Sequence, residues 1–330
     1  MDFQRQPEVY DLLILGSGAG SKLLAWTFAG QGQKVAVVER RYVGGACPNI
    51  ACLPSKNVIH TAQIADYVRR SETFGISIDN FRVNMPVVRD RKRKMVQELV
   101  DTHLALYRQS GAELIMASGQ FVGAKILEAT LPDGTKRLLS GKNIVIGTGT
   151  HALIENIPGL AAAQPMTHVE ALELDVVPEH LIILGAGYVG LELAQAMRRF
   201  GSKVTVIDRN HRVIHHEDDD VTEGLQQLFQ DEGIEFVLNA SVKSVSGVIR
   251  WVCSCRDRAE RCGEFVRRYS SFSRERARTE YKGHRTRTHW SGTDRAGIYQ
   301  SKRPPGNDRA WHMGGGRGGG KPAIYAHQRG

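Results

Sequence analysis

The sequence predicts an α/β chain built on two nucleotide-binding Rossmann-like domains, followed by a basic tail with no fold of its own. Three observations carry this. A unit is read twice: an apolar run, a glycine-rich turn, a helix-like stretch, a second apolar run and an acid. The spacing repeats too, because 23 residues separate the first glycine from the acid in both copies, Gly16 to Glu39 and Gly185 to Asp208. The composition then breaks near residue 249, after which the chain holds no leucine up to residue 330.

In the first copy Val9 to Leu15 is the apolar run and Gly16-Ser17-Gly18-Ala19-Gly20-Ser21 is the turn. A helix follows from Lys22 to Gly30, then a second strand from Lys34 to Val38, closed by Glu39. Glycines at such a turn let backbone amides approach a pyrophosphate at a helix N-terminus. Ser21 stands at the third glycine position, a small residue but a departure. In the second copy His180 to Leu184 leads into Gly185-Ala186-Gly187-Tyr188-Val189-Gly190. A helix runs to Phe200, and Lys203 to Ile207 ends at Asp208. The expectation is two cofactor sites; the alternative is one dinucleotide fold beside an ordinary αβ unit.

Between them lies Gly44-Gly-Ala-Cys47-Pro-Asn-Ile-Ala-Cys52-Leu-Pro-Ser-Lys56, ahead of a helix expected over Asn57 to Arg70. Cys47 and Cys52 are five positions apart, a spacing within disulfide reach at a helix start. A helix N-terminus also favours a thiolate. The pair reads as a redox-active dithiol, against the alternatives of two buried cysteines or half a zinc site. Five cysteines without a secretion signal favour a reducing, cytoplasmic setting. No apolar run reaches membrane-spanning length, so no membrane partner is expected.

The segment Gly44 to Lys56 resembles the redox-active segment of the class I pyridine nucleotide-disulfide oxidoreductases. Its Cys-Pro-Asn-Ile-Ala-Cys wording is nearest the mercuric reductase-like branch, with dihydrolipoamide dehydrogenase in the same family. The resemblance runs from the N-terminus to about Val248. It implies an FAD-binding domain over residues 1–150, an incomplete NAD(P)-binding domain over 151–248, and electron flow from NADH or NADPH through FAD to a Cys47–Cys52 disulfide. Cys52 is then the thiol beside the flavin and Cys47 the one that exchanges with substrate. Lys56 points to the flavin N5 region and pairs with Glu192. Gly16, Gly18, Gly20 and Glu39 hold the ADP half of FAD, and Thr148-Gly149 touches the flavin. Gly185, Gly187, Gly190 and Asp208 hold the nicotinamide nucleotide. Tyr188 is either an aromatic gate over the flavin or a packed turn tyrosine. A carboxylate at Asp208 repels a 2′-phosphate, which favours NADH, while the adjacent Arg209 works against this.

The implied substrate is a small-molecule disulfide, a dithiol or a metal ion. The family is homodimeric through a C-terminal domain that also carries a His-Glu acid–base couple, and no match to that domain is read here. His327 is not assigned to the couple. The alternative to an enzyme is a truncated, non-catalytic nucleotide-binding descendant.

The intervening stretch reads as an amphipathic helix over Met85 to Ser110, with the charges of Arg89 to Lys94 on a solvated face. Short strands are expected at Glu113–Met116, Gln120–Val122, Ile126–Leu131, Arg137–Leu139 and Asn143–Ile146, with a turn at Pro132-Asp133-Gly134. The formal charge of +9 belongs to the tail: residues 249–330 hold 19 Lys+Arg and 7 Asp+Glu, leaving 25 and 28 for the rest. So little aliphatic surface cannot offset chain entropy, and residues 249–330 are expected to be a disordered Arg/Gly-rich segment without a dimerisation domain. The abrupt change reads as a shifted frame or an altered gene end. Binding of RNA through its arginines and tryptophans is the weaker alternative. Cys253, Cys255 and Cys262 fit no zinc spacing, and no metal site is expected.

Overall fold

A computed structural model of the chain describes residues 6–245 together with an antiparallel pair, Gly292–Thr293 with Tyr299–Gln300. The other expectations for 249–330 lie outside the described residues. The described chain divides into two compact units. The first takes the chain up to Asn49 together with Leu99–Gly149, and the second takes Ile50–Glu98 and the chain from Thr150. No described helix is long and apolar enough to cross a membrane.

Strands and helices alternate as the duplicated pattern requires. Through the first half they are β1 (Glu8–Leu15), α1 (Ala19–Gly30), β2 (Val35–Glu39), α2 (Ala46–Asn49), α3 (Cys52–Arg69) and α4 (Met85–Ser110). Then come β3 (Glu113–Met116), β4 (Ser118–Gly123), β5 (Ile126–Thr130) and β6 (Lys136–Ile146). The second half holds α5 (His168–Ala171), β7 (His180–Leu184), α6 (Tyr188–Phe200), β8 (Lys203–Ile207), α7 (Asp219–Asp231) and β9 (Ile234–Val237).

The first unit is a six-stranded sheet in the order β3-β2-β1-β6-β5-β4. Strands β3, β2, β1 and β6 are parallel, and β6, β5 and β4 pair antiparallel. Strand β2 is buried on both faces, which is why its sequence is a continuous apolar run. Ala36 and Val38 enter one core cluster with Leu127 and Leu139, while Val35 and Val37 enter the other with Ala25 and Tyr107. Strand β6 joins two runs that the sequence separated. Gly141 lets it continue, since a Cβ there would stand 2.7 Å from Leu13 Cβ.

The second unit carries a parallel sheet in the order β7-β8-β9. Its core joins Val58, Ala62 and Ala65 of α3 to Leu191, Ala194 and Met197 of α6. The i, i+4, i+7 spacing on α3 makes that buried stripe. Residues 50–98, which the sequence placed in the first domain, therefore group with this unit. Helix α3 starts five residues earlier than expected. Pro54 lies in its first turn, where a missing N–H costs nothing.

The charges of Arg89 to Lys94 are not all on a solvated face as expected. Lys92 is buried, and its ammonium meets the Glu173 carboxylate, which Arg93 also holds at 2.7 Å. Burial lowers the proton affinity of Lys92, opposed by Glu173. Burial works against the Glu173 charge as well, but the hydrogen bonds and charges of Lys92 and Arg93 keep its carboxyl below the ordinary range.

Four histidines, His103, His168, His180 and His215, titrate below the ordinary 6.5, in each case chiefly because burial disfavours the imidazolium. The unfolded chain accepts protons near 6.5 that the native chain refuses. Stability therefore falls as pH drops below about 6.5, ahead of the carboxylate range. The thermal midpoint should decline between pH 7.5 and 5.5; a flat midpoint over that span would contradict the burial of these imidazoles.

Candidate functional site

The two glycine turns are built alike. In the first, Gly16 N donates to Val38 O at 2.7 Å; in the second, Gly185 N donates to Ile207 O at 2.8 Å. Each turn is then tied by its acid. Glu39 Oε2 accepts from Ser17 N at 2.9 Å and Ser17 Oγ at 2.7 Å, and its Oε1 accepts from Arg41 N at 2.7 Å and Tyr42 N at 3.0 Å. Asp208 Oδ2 accepts from Ala186 N at 2.7 Å, and its Oδ1 from Asn210 N at 2.7 Å and Nδ2 at 2.8 Å.

Gly16 has φ +94°, and a Cβ there would sit 2.3 Å from Gly147 O, so no other residue fits. Ser21 tolerates the third position because the chain opposite it is Gly147; a Cβ on Gly147 would come 2.1 Å from Ser21 Oγ. In the second copy Gly190 fills that role, with a Cβ there 2.3 Å from Gly185 O.

Both following helices leave their first-turn amides uncapped. Gly18 and Gly187 are the N-caps, neither makes a side-chain cap bond, and neither first turn holds an acid. A Cβ at Gly20 would meet nothing within 4 Å. Amide donors without a partner side chain, a helix dipole and open space beside glycine fit the pyrophosphate of a dinucleotide.

The cysteine segment is anchored on the first glycine turn. Ser17 Oγ accepts from Gly44 N at 2.9 Å. Gly45 has φ +82°, and a Cβ there would stand 2.6 Å from Gly18 Cα. Asn49 Nδ2 donates to Val43 O at 2.9 Å and Gly45 O at 2.7 Å, closing the loop around Cys47. Cys47 precedes α3, in the short α2, and Cys52 opens α3. The structure holds both as thiols.

Cys52 and Lys56 are four residues apart and share a face of α3. Lys56 Nζ donates to Glu192 Oε1 at 2.6 Å, so the pair expected from the sequence is brought together. With side chains 58% and 42% exposed, it contributes little stability, about 0–1 kcal/mol. Tyr188 is exposed at the start of α6, and its hydroxyl donates to the Glu217 carboxylate, whose hydrogen bond raises the phenol pKa. Thr148 and Gly149 are exposed beyond β6.

Several site residues were not read from the sequence: Ser17, Asn49, Asn210 and Glu217, and the pair Lys22 and His103. Ser17 had a signal, since a serine between two turn glycines is placed to bond the acid that ends the next strand. His103, on a mid-chain helix far away in sequence, had none.

Fold and site together define an α/β protein with a duplicated dinucleotide-binding unit and a cysteine pair. The family described as Pyridine nucleotide-disulphide oxidoreductase matches residues 10–254, and the chain belongs to it. It is 33% identical to a mercuric reductase of Streptomyces lividans over 238 residues, covering 72% of this chain and 50% of that one. It is 30% identical to a dihydrolipoyl dehydrogenase of Chlorobaculum tepidum over 239 residues, covering 72% and 50%. Among solved structures, the HOCl-induced flavoprotein disulfide reductase RclA of Escherichia coli superposes with a TM-score of 0.62 at 29% identity, covering 72% of this chain and 51% of that one. The chain spans about half the length of the curated relatives it matches.

Proposed function

We propose that this chain is an FAD-dependent oxidoreductase that passes electrons from a nicotinamide nucleotide to the Cys47–Cys52 pair and on to a disulfide, a dithiol-linked compound or a metal ion. The observation that carries this reading is the anchoring of the cysteine loop on the Ser17–Glu39 tie of the first glycine turn. Flavin, when bound, supplies the two-electron link between nicotinamide and dithiol. Gly16, Gly18, Gly20 and Glu39 would hold its ADP half, Thr148 and Gly149 would border it, and Lys56, paired with Glu192, would offer it a cation. Gly185, Gly187, Gly190 and Asp208 would hold the nicotinamide nucleotide, with Tyr188 beside them at the start of α6.

With a disulfide substrate, the Cys47 thiolate attacks one sulfur and displaces the other as a thiolate. The Cys52 thiolate then attacks the Cys47 sulfur, forming the Cys47–Cys52 disulfide and releasing the second substrate sulfur. The two electrons come from the dithiol, and two protons from the medium end on the released thiols.

A second reading is a nucleotide-binding protein without turnover. Flavin per chain, mass in solution and disulfide-dependent NAD(P)H oxidation, measured after purification with added FAD, separate the two. Dimeric protein with full flavin and ordinary turnover supports the enzyme; a flavin-free chain without oxidation supports the second reading. The same preparation tests the nucleotide. Asp208 holds the turn and would set its negative charge beside the ribose, while Arg209 lies 4.0 Å from Glu155 and is partly neutralised. NADH should therefore bind more tightly than NADPH, and Asp208→Ser should narrow the gap. Tighter NADPH binding to the parent would overturn this.

A further inference from the structure

In the first unit, the cysteine loop packs against a lysine–histidine pair that the proposed reaction does not use. Lys22, in the first turns of α1, places Nζ 2.8 Å from His103 Nε2 on α4. His103 is 8% exposed and lies directly under the loop: a Cβ on Gly44 would stand 2.4 Å from His103 Nδ1 and 3.2 Å from Pro48 Cγ. Trp26 walls the pair, its ring 5.8 Å from Lys22 Nζ and 5.7 Å from the His103 ring, and Tyr107 lies edge-on to Trp26 at 5.6 Å. Cys47 lies between Gly44 and Pro48, three residues beyond the first and one before the second, so its backbone belongs to the stretch that lies over His103.

We propose that Lys22, fixed in place by His103, is the positioning residue that holds Cys47 as a thiolate for exchange with substrate. The inference rests on the reading of Cys47 as the exchanging thiol. Lys22 meets His103 from α4, and the charge of Cys47 from α2 acts on it; Tyr107 from α4 packs on Trp26 and feels Glu39 at the end of β2. Burial lowers the proton affinity of Lys22, and charge on Cys47 raises it again, so the two charges favour each other. Burial, then the Lys22 charge, keeps His103 neutral at pH 7. Its Nε2 is then free to accept from the Lys22 ammonium, leaving the positive charge on Lys22. The only group in the cluster that gains from that charge when ionised at neutral pH is the Cys47 thiol.

The test is residue-resolved alkylation of the reduced full-length chain with iodoacetamide across pH 5–10, each cysteine followed by its own peptide. In Lys22→Gln the Cys47 midpoint should rise by about one pH unit and its rate at pH 7 should fall about tenfold, while Lys22→Arg stays near the parent. Lys22→Met keeps the stem against Trp26 and should repeat the Gln result, so the test survives misfolding of one variant. In urea, Cys47 should titrate alike in all variants. An unmoved Cys47 midpoint in the neutral variants, or an equal shift in Lys22→Arg, would overturn the proposal. The measurement needs no flavin or turnover. Failure of the oxidoreductase reading would appear in flavin content and NAD(P)H oxidation, and failure of this inference only in the alkylation profile.

Discussion

Serine at either Cys47 or Cys52 is expected to remove disulfide-dependent NAD(P)H oxidation by at least about a thousandfold, since residues that act as one unit fail together. In the proposed mechanism each cysteine has one task that the other cannot take. Cys47, on α2, sits in a loop held by Ser17 and Asn49, and Cys52 begins α3 four residues before Lys56. Either variant also leaves one sulfur without its partner. Thiol counting on oxidised protein before and after dithionite should therefore show two new thiols from this pair in the parent and none in either variant. Equal thiol release in parent and variants would show that the pair is not the redox centre.

Alanine at Gly16 is expected to destabilise the first unit by about 2–5 kcal/mol, the sum of forcing a left-handed conformation and inserting a methyl against backbone. The new Cβ would lie 2.3 Å from Gly147 O at φ +94°, and Gly147 N is itself bonded to Leu15 O at 2.8 Å. The carbonyl cannot retreat without breaking β1–β6 pairing. Urea unfolding should show the loss, and flavin should be absent from the purified variant. Gly20→Ala is the control. Nothing lies within 4 Å of its Cβ, so it should fold normally while retaining less flavin, because the methyl enters the space beside the helix N-terminus. If Gly16→Ala matches the parent in both measurements, the close approach of β1 and β6 is not as described.

The duplicated unit was legible because its physics is local. Glycine at a tight turn, a strand buried on both faces and an acid at its end all show in a short window, and the strands Glu113–Met116, His180–Leu184 and Lys203–Ile207 fall where the pattern puts them. What escaped was non-local. Helix α7 and strand β9 were not read, although their order completes the β7-β8-β9 sheet. Lys92 looked like one charge in a solvated run because its partner, Glu173, is 81 residues away. Strand β6 looked like two pieces because a glycine usually ends a strand, whereas here Gly141 admits a neighbouring strand. The Lys56–Glu192 pair was legible only through family resemblance, since 136 residues separate its members.

The acids at the ends of β2 and β8 also bear on the cost of binding. Glu39 and Asp208 each hold backbone amides at 2.7–3.0 Å on both carboxylate oxygens. The turns are thus preorganised. A ligand arriving there orders few backbone torsions, so little of its contact energy is consumed by chain entropy. Substituting either acid should then weaken nucleotide binding mainly by loosening the receiving loop. That loss should appear as an unfavourable binding entropy, even for a nucleotide fragment that lacks the ribose hydroxyls.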